Sequence, residues 1–280
     1  MAVVQLNTIK PFPKLSLKAT PKALGVVLEH IFGSCSEGLW LVGGTALAGY
    51  YAEHRKSDDL DLFACDSITQ ELSIRAIRSL MNKGAKLSDE RHTPNYYHVD
   101  VKFMNHSFTI DSVLDEHLHS IGSSHRVLHG IVVANLETLF ATKVACLVSR
   151  CSEKDLFDLD WILIKRGILD IAEIIERGSS IDGGLCIETL LISLQGSILR
   201  KDACHFLVPS SPITIDAAYK KIINLRKKLI TCLREYEKSQ PQTNESKILS
   251  QAIFDQKKSR NNFAIIKMTN TTRFFFVSLV

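Results

Sequence analysis

Leu41-Val42-Gly43-Gly44-Thr45-Ala46-Leu47-Ala48, followed after six intervening residues by Arg55-Lys56-Ser57-Asp58-Asp59-Leu60-Asp61-Leu62-Phe63, is the stretch that decides the fold. Residues 39–42 read as a short apolar strand and residues 45–54 as a helix, with Gly43-Gly44 forming the turn between them. Paired glycines let a backbone approach a phosphate closely, and a helix amino terminus presents unpaired N–H groups to it. Asp59 and Asp61 stand two apart in a second strand, residues 60–64, so both carboxylates project from one face while Leu60 and Leu62 turn to the core. Carboxylates that close repel unless a cation neutralises them, and Mg²⁺, with its preference for oxygen, suits them. A metal carrying a triphosphate can align an in-line attack on the α-phosphorus. Asp58 alternates to the opposite face and is read as a bystander.

Upstream, residues 1–20 contain Pro and Lys without helical period, and residues 21–33 read as a helix with Pro at its first turn and Gly33 at its stop. Downstream, residues 68–83 read as a helix ending at Gly84. Tyr97, Val99, Val101 and Phe103, then Phe108 and Ile110, alternate with polar partners and predict a β-hairpin. With Asn105-His106 as the turn, Phe103 would face Phe108, Val101 would face Ile110, and Asp100 would face Asp111. From Asn135 the pattern becomes helical. Asn135 can cap a helix to Arg150 and Ser152 a second to Lys165, with more helices near 170–177, 185–200 and 214–238. In the last, Ala218, Ile222, Leu225, Leu229 and Leu233 form an apolar stripe, with Lys220, Lys227, Arg234 and Lys238 on another face.

The expected class is α/β (α+β): a small mixed sheet with flanking helices, followed by a helical carboxyl-terminal half. The expected division is 21–130 for the sheet domain, 131–238 for the helical domain, and 239–280 for a linker and tail. With 45% hydrophobic residues in 280, the chain can bury a real core. The formal charge of +4 comes from the tail. Residues 253–280 hold five of the 34 Lys and Arg but one of the 30 Asp and Glu, leaving 29 of each sign elsewhere. Net charge therefore does not mark the body as a nucleic-acid binder. No apolar run is long enough to span a bilayer and the first residues lack a signal-peptide layout, so the expectation is a cytoplasmic protein without membrane contact. Seven cysteines without C-x-x-C spacing read as reduced core thiols. Seven of the ten histidines fall between His92 and His129, but none forms the helical pair of a zinc site.

Gly-Gly-Thr, a helix, and Arg-x-Ser-x-Asp-x-Asp together resemble the first motif of the polymerase-β-like nucleotidyltransferases. The wording GGTALA and RKSDDLDLF is similar to the AbiEii branch, the toxins of abortive-infection toxin–antitoxin pairs. A later block agrees with that branch: Thr142-Lys143, Arg150, Lys154-Asp155 and Asp158. The resemblance covers roughly residues 25–165.

It implies a nucleotidyltransferase core and Mg²⁺- (or Mn²⁺-) dependent transfer of a nucleoside monophosphate from an NTP, GTP or ATP, to an acceptor. RNA (tRNA included), a protein hydroxyl and a small molecule all remain open as acceptors, and a DNA-binding antitoxin is the implied partner. Asp59 and Asp61 would hold the metal with a third carboxylate from a neighbouring strand, best matched by Asp111, with Asp100 its rival. Gly43, Gly44, Thr45, Arg55 and Ser57 would bind the nucleotide. Lys143 and Arg150, seven apart on one helix face, would lie along the triphosphate. Asp158 would hold Lys143 or Arg150 in place, whereas Asp155, three after Ser152, reads as part of a helix cap. Two other readings stand beside this one: a nucleotide-binding module without catalysis, and an antibiotic-modifying nucleotidyltransferase, which would lack the block from Lys143 to Asp158.

Overall fold

The computed structural model describes residues 3–35 and 37–240, so the expected tail lies outside the described residues beyond residue 240. Residues Met1–Glu237 and Lys238–Val280 separate as two units, and the features below belong to the first, except that the last helix runs two residues into the second. Its centre is a mixed seven-stranded sheet in the order β3-β4-β5-β2-β1-β7-β6. The strands are β1 (Leu39–Val42), β2 (Leu60–Ala64), β3 (Lys86–Thr93), β4 (Tyr96–Phe103), β5 (His106–Leu114), β6 (Ser124–Arg126) and β7 (Val132–Ala134). β1 runs antiparallel to β2, which runs parallel to β5, while β7 lies parallel to β1 on its other side.

The helices that flank the sheet include α1 (Lys22–Ser34), α2 (Gly43–Leu47), α3 (Ser67–Ser79) and α4 (Glu116–Ile121). The helical half holds α5 (Leu136–Ser149), α6 (Glu153–Arg166), α7 (Ile171–Ser179), α8 (Ile187–Gly196) and α9 (Ile215–Ser239). The α/β class expected from the sequence is therefore the one observed. The caps are where short polar residues precede apolar periodicity: Asn135 accepts from Thr138 N–H at 2.8 Å, and Ser152 accepts from Asp155 N–H at 3.3 Å. In α9 the five stripe residues, Ala218, Ile222, Leu225, Leu229 and Leu233, are the buried ones, as an amphipathic period requires.

Three expectations need correction. The hairpin turns at Met104-Asn105, both with positive φ (50° and 63°), so Phe103 pairs with His106, Val101 with Phe108 and Val99 with Ile110. Each partner lies two residues from the expected one, which leaves every side chain on its expected face. Consequently Asp100 stands opposite Thr109, and Asp111 stands opposite His98. Secondly, α1 continues through Gly33 to Ser34. Thirdly, α2 begins at Gly43 without a separate turn and runs on as a π-helical segment, Ala48–Ala52.

The boundary expected at residue 130 falls between β6 and β7 of the same sheet, and one hydrophobic cluster joins Leu41 and Leu62 to Leu156, Leu194 and Leu229. Residues before α1 pack onto the body: Phe12 and Ser16 N–H donate to Tyr50 and Gly49 carbonyls at 2.6 and 2.9 Å. Among the described residues no helix is long and apolar enough to cross a membrane.

Candidate active site

The sheet delivers the acidic residues by register. Val42, at the end of β1, pairs with Asp61 of β2, and Asp61 pairs with Asp111 of β5. Residues paired across neighbouring strands share a face, so the Asp61 and Asp111 carboxylates project together. Asp59 stands just before β2, where Thr109 Oγ1 of β5 donates to its Oδ1 at 2.9 Å. On the opposite face Leu60, Leu62, Val99 and Ile110 are fully buried. Burial and the neighbouring Asp111 charge push the Asp61 carboxyl up to about 6, while the cations Lys143 and Arg150 pull it down. The two cations do not offset the burial and the neighbouring like charge.

Gly43 is fixed by two constraints. Its φ is +68°, and a Cβ there would stand 1.8 Å from Asp61 Oδ2. Only glycine accepts that conformation and that approach together. A Cβ on Gly44 would stand 2.6 Å from Arg55 Nη2 and 2.9 Å from Ser57 Oγ. Thr45 is buried, and its hydroxyl reaches Ser57 Oγ at 3.0 Å and donates to the Asp59 carbonyl at 2.5 Å. Thr45 thereby ties the start of α2 to the approach of β2, and its side-chain hydroxyl is committed to that tie.

The later block folds against this loop. Arg55 is buried and donates through Nε and Nη2 to the two Asp158 oxygens at 2.6 and 2.7 Å. The third donor group, Nη1, meets the Lys56 carbonyl at 2.8 Å. His54 Nε2 lies 2.7 Å from Asp158 Oδ1, and its ring stacks on Phe157 at 5.5 Å. Lys143 Nζ, also buried, stands 2.8 Å from Asp158 and 3.0 Å from Asp155. Arg150 follows α5, 61% exposed, and grips Asp155 with Nε and Nη2 at 2.8 and 2.9 Å. Burial alone would lower the Lys143 ammonium, but Asp158 and Asp155 outweigh it and hold the group above its ordinary value. Burial would raise Asp158, yet Arg55 and Lys143 hold it well below the usual carboxylate range.

Asp158 thus binds Lys143 and Arg55, while Arg150 is bound by Asp155. Asp155, expected as a cap residue, has its N–H on Ser152 and its carboxylate on Lys143 and Arg150.

Two residues beside Asp111 were not singled out from the sequence. Tyr96 Oη donates to Asp111 Oδ1 at 2.8 Å, and His98 Nδ1 lies 2.6 Å from the same oxygen. Burial and the bond to Asp111 raise the Tyr96 phenol, so it stays a donor. The signal lay in the hairpin register, which sets His98 directly across from Asp111. Asp100, half-exposed, lies 3.5 Å from His98 Nε2. The ligand atoms of Asp89, His98 and Asp100 fall within 4.8 Å of one another.

The family model described as nucleotidyl transferase AbiEii toxin, of a type IV toxin–antitoxin system, matches residues 27–209. No curated protein matches the chain. JHP933 from Helicobacter pylori is similar in structure at 16% identity and a TM-score of 0.47, over 79% of this chain and 97% of that one. MenT4, a nucleotidyltransferase toxin from Mycobacterium tuberculosis, is similar at 14% identity and a TM-score of 0.47, over 77% and 86%. The matched residues span both the Gly-Gly-Thr and Asp-x-Asp segment and the Lys143–Asp158 block, and the chain belongs to the AbiEii family of nucleotidyltransferase toxins.

Proposed function

We propose that this enzyme transfers a nucleoside monophosphate from GTP or ATP to an acceptor hydroxyl, with Asp59, Asp61 and Asp111 holding a divalent cation. The observation that carries the reading is the register pair Asp61–Asp111 on parallel strands, with Gly43 closed against Asp61. Asp59, Asp61 and Asp111 would supply hard oxygen donors of the kind Mg²⁺ prefers, and burial with the Asp111 charge keeps the Asp61 carboxyl raised despite Lys143 and Arg150. Mg²⁺ or Mn²⁺ bound there would neutralise the carboxylates and polarise the phosphates.

The chain's own groups have separable tasks. Gly43, Gly44 and Thr45 offer backbone N–H groups at the start of α2 to the phosphates. Arg55 and Ser57 act beneath Gly44, shaping the loop on which the nucleotide rests. Arg150 keeps Nη1 for a phosphate while Nε and Nη2 hold Asp155. Lys143 has three N–H donors and uses two on Asp155 and Asp158, leaving one for the triphosphate. Asp158 keeps Lys143 charged and placed. The exposed face of α9 bearing Lys220, Lys227 and Arg234 supplies phosphate-binding charge that favours RNA, tRNA included, as acceptor. We further propose that the protein acts in the cytoplasm beside a DNA-binding antitoxin.

The test is transfer of label from α-³²P-GTP and α-³²P-ATP in Mg²⁺ or Mn²⁺, with total RNA, protein and small-molecule acceptors supplied separately. Label on one acceptor class, abolished by Asp61→Asn, supports the reading. Nucleotide binding without transfer to any acceptor would overturn it in favour of a non-catalytic module.

A further inference from the structure

The two oxygens of Asp111 are held unequally. Tyr96 Oη and His98 Nδ1 both reach Oδ1, at 2.8 and 2.6 Å. Among the described residues Oδ2 accepts no hydrogen bond. The arrangement is built by β4 alone. His98 is the register partner of Asp111, and Tyr96, paired with Val113 of β5, lies on the same face. The two rings lie nearly parallel, with centroids 6.3 Å apart at 19°. His98 is only 16% exposed, and its far nitrogen is 3.5 Å from Asp100.

A carboxylate on a strand rotates about two side-chain bonds, and a cation gains little from an oxygen that must first be fixed. Partners behind a ligand fix that rotation before the cation arrives. We infer that Tyr96 and His98 are positioning residues for the metal centre, clamping Asp111 by Oδ1 so that Oδ2 is the oxygen presented to the cation. The inference rests on the proposal that Asp111 is a ligand. Both act through Asp111. Their effect passes through the affinity of the centre for its cation.

The alternative is that both donors merely satisfy a half-buried acid. In that case their loss would lower stability without changing metal affinity. A second complication is the Asp89–His98–Asp100 cluster, in which His98 could itself meet a cation. Tyr96 lies outside that cluster, which makes Tyr96→Phe the deciding variant.

Mn²⁺ binding to the full chain, read by water-proton relaxation without nucleotide, tests the inference alongside melting temperature and the Mn²⁺ dependence of transfer. Tyr96→Phe and His98→Ala are each expected to weaken Mn²⁺ binding about 10-fold or more, and to raise the Mn²⁺ concentration needed for half-maximal transfer. His98→Asn, whose amide nitrogen replaces Nδ1, is expected to recover most of the loss. Mn²⁺ affinity within twofold of wild type in Tyr96→Phe would overturn the inference. So would a pattern in which His98→Ala and Asp100→Ala lose binding equally while Tyr96→Phe does not, because the cation would then sit on the outer cluster. Asp111→Asn separates this failure from that of the underlying reading: unchanged Mn²⁺ affinity in that variant removes Asp111 as a ligand altogether.

Discussion

Asp61 and Asp111 are register partners on adjacent parallel strands, and the Asp61 carboxyl is pushed up to about 6 by its burial and by the Asp111 charge. The folded chain thus holds two like charges together at neutral pH, against its own stability. A raised carboxyl stabilises the fold when protonated, so this contribution is fully present below the ordinary value of 3.8 and fades as pH rises through about 6. Asp61→Asn is therefore expected to melt a few degrees higher than wild type at pH 7.5 without divalent cation, and to gain much less at pH 4. Adding Mn²⁺ should stabilise wild type but not the variant, and transfer activity should vanish. Scanning calorimetry at the two pH values checks this. An equal gain at both would mean that charge is not the cause.

Asp111→Ala and Asp100→Ala should separate widely. Asp111 adjoins Asp61 in the sheet, whereas Asp100 faces Thr109 and lies 3.5 Å from His98 Nε2 on the outer side of the hairpin register. Loss of metal-dependent nucleotide binding is expected in Asp111→Ala and a mild effect in Asp100→Ala. Titration calorimetry with nucleotide and Mg²⁺ measures the ranking, and its reversal would remove Asp111 from the site.

Two glycines offer a matched pair. In Gly43→Ala the new Cβ meets Asp61 Oδ2 in a left-handed backbone, so a loss of about 2 kcal/mol and of nearly all activity is expected. At Gly33, exposed in α1, nothing lies within 4 Å of a new Cβ. Gly33→Ala should stabilise by about 0.5–1 kcal/mol with unchanged activity. Chemical denaturation together with a transfer assay compares them.

Lys143 and Arg150 should fail differently. Lys143→Met leaves the buried carboxylates of Asp155 and Asp158 short of a partner, for a cost of about 3–5 kcal/mol in stability as well as lost activity. Arg150 is mostly exposed, and Asp155 keeps Lys143 and Ser152 without it. Arg150→Met should melt near wild type yet bind nucleotide about 10-fold more weakly or worse. Equal melting temperatures for the two variants would contradict the burial described here.

The decisive local signals were legible because they depend on neighbours in sequence. The cap residues Asn135 and Ser152, the period of α9, and the two-residue spacing of Asp59 and Asp61 are of this kind. Alternation in the hairpin is blind to an even slip, because moving every partner by two leaves Val99 and Val101 on the same face. Nothing in the sequence advertises a turn at Met104, and the Tyr96 and His98 clamp was hidden with the register. β3 escaped because Lys86–Thr93 is an almost wholly exposed edge without alternation, and β6 and β7 are three residues each. The pairing of Arg55 with Asp158 spans 103 residues. No spacing rule reaches that far.

That long span has a consequence in time. A chain leaving the ribosome carries Gly43, Gly44, Asp59 and Asp61 early, but Arg55 then lacks the carboxylate that fixes it. Asp158 must emerge first, and the Lys56 N–H must wait longer for the Phe206 carbonyl, which it meets at 2.6 Å. The nucleotide loop is expected to stay unfixed until both partners have emerged. The loop closes only once the residues up to Phe206 are available, so in this family of toxins competence for nucleotide follows the folding of the helical half rather than preceding it.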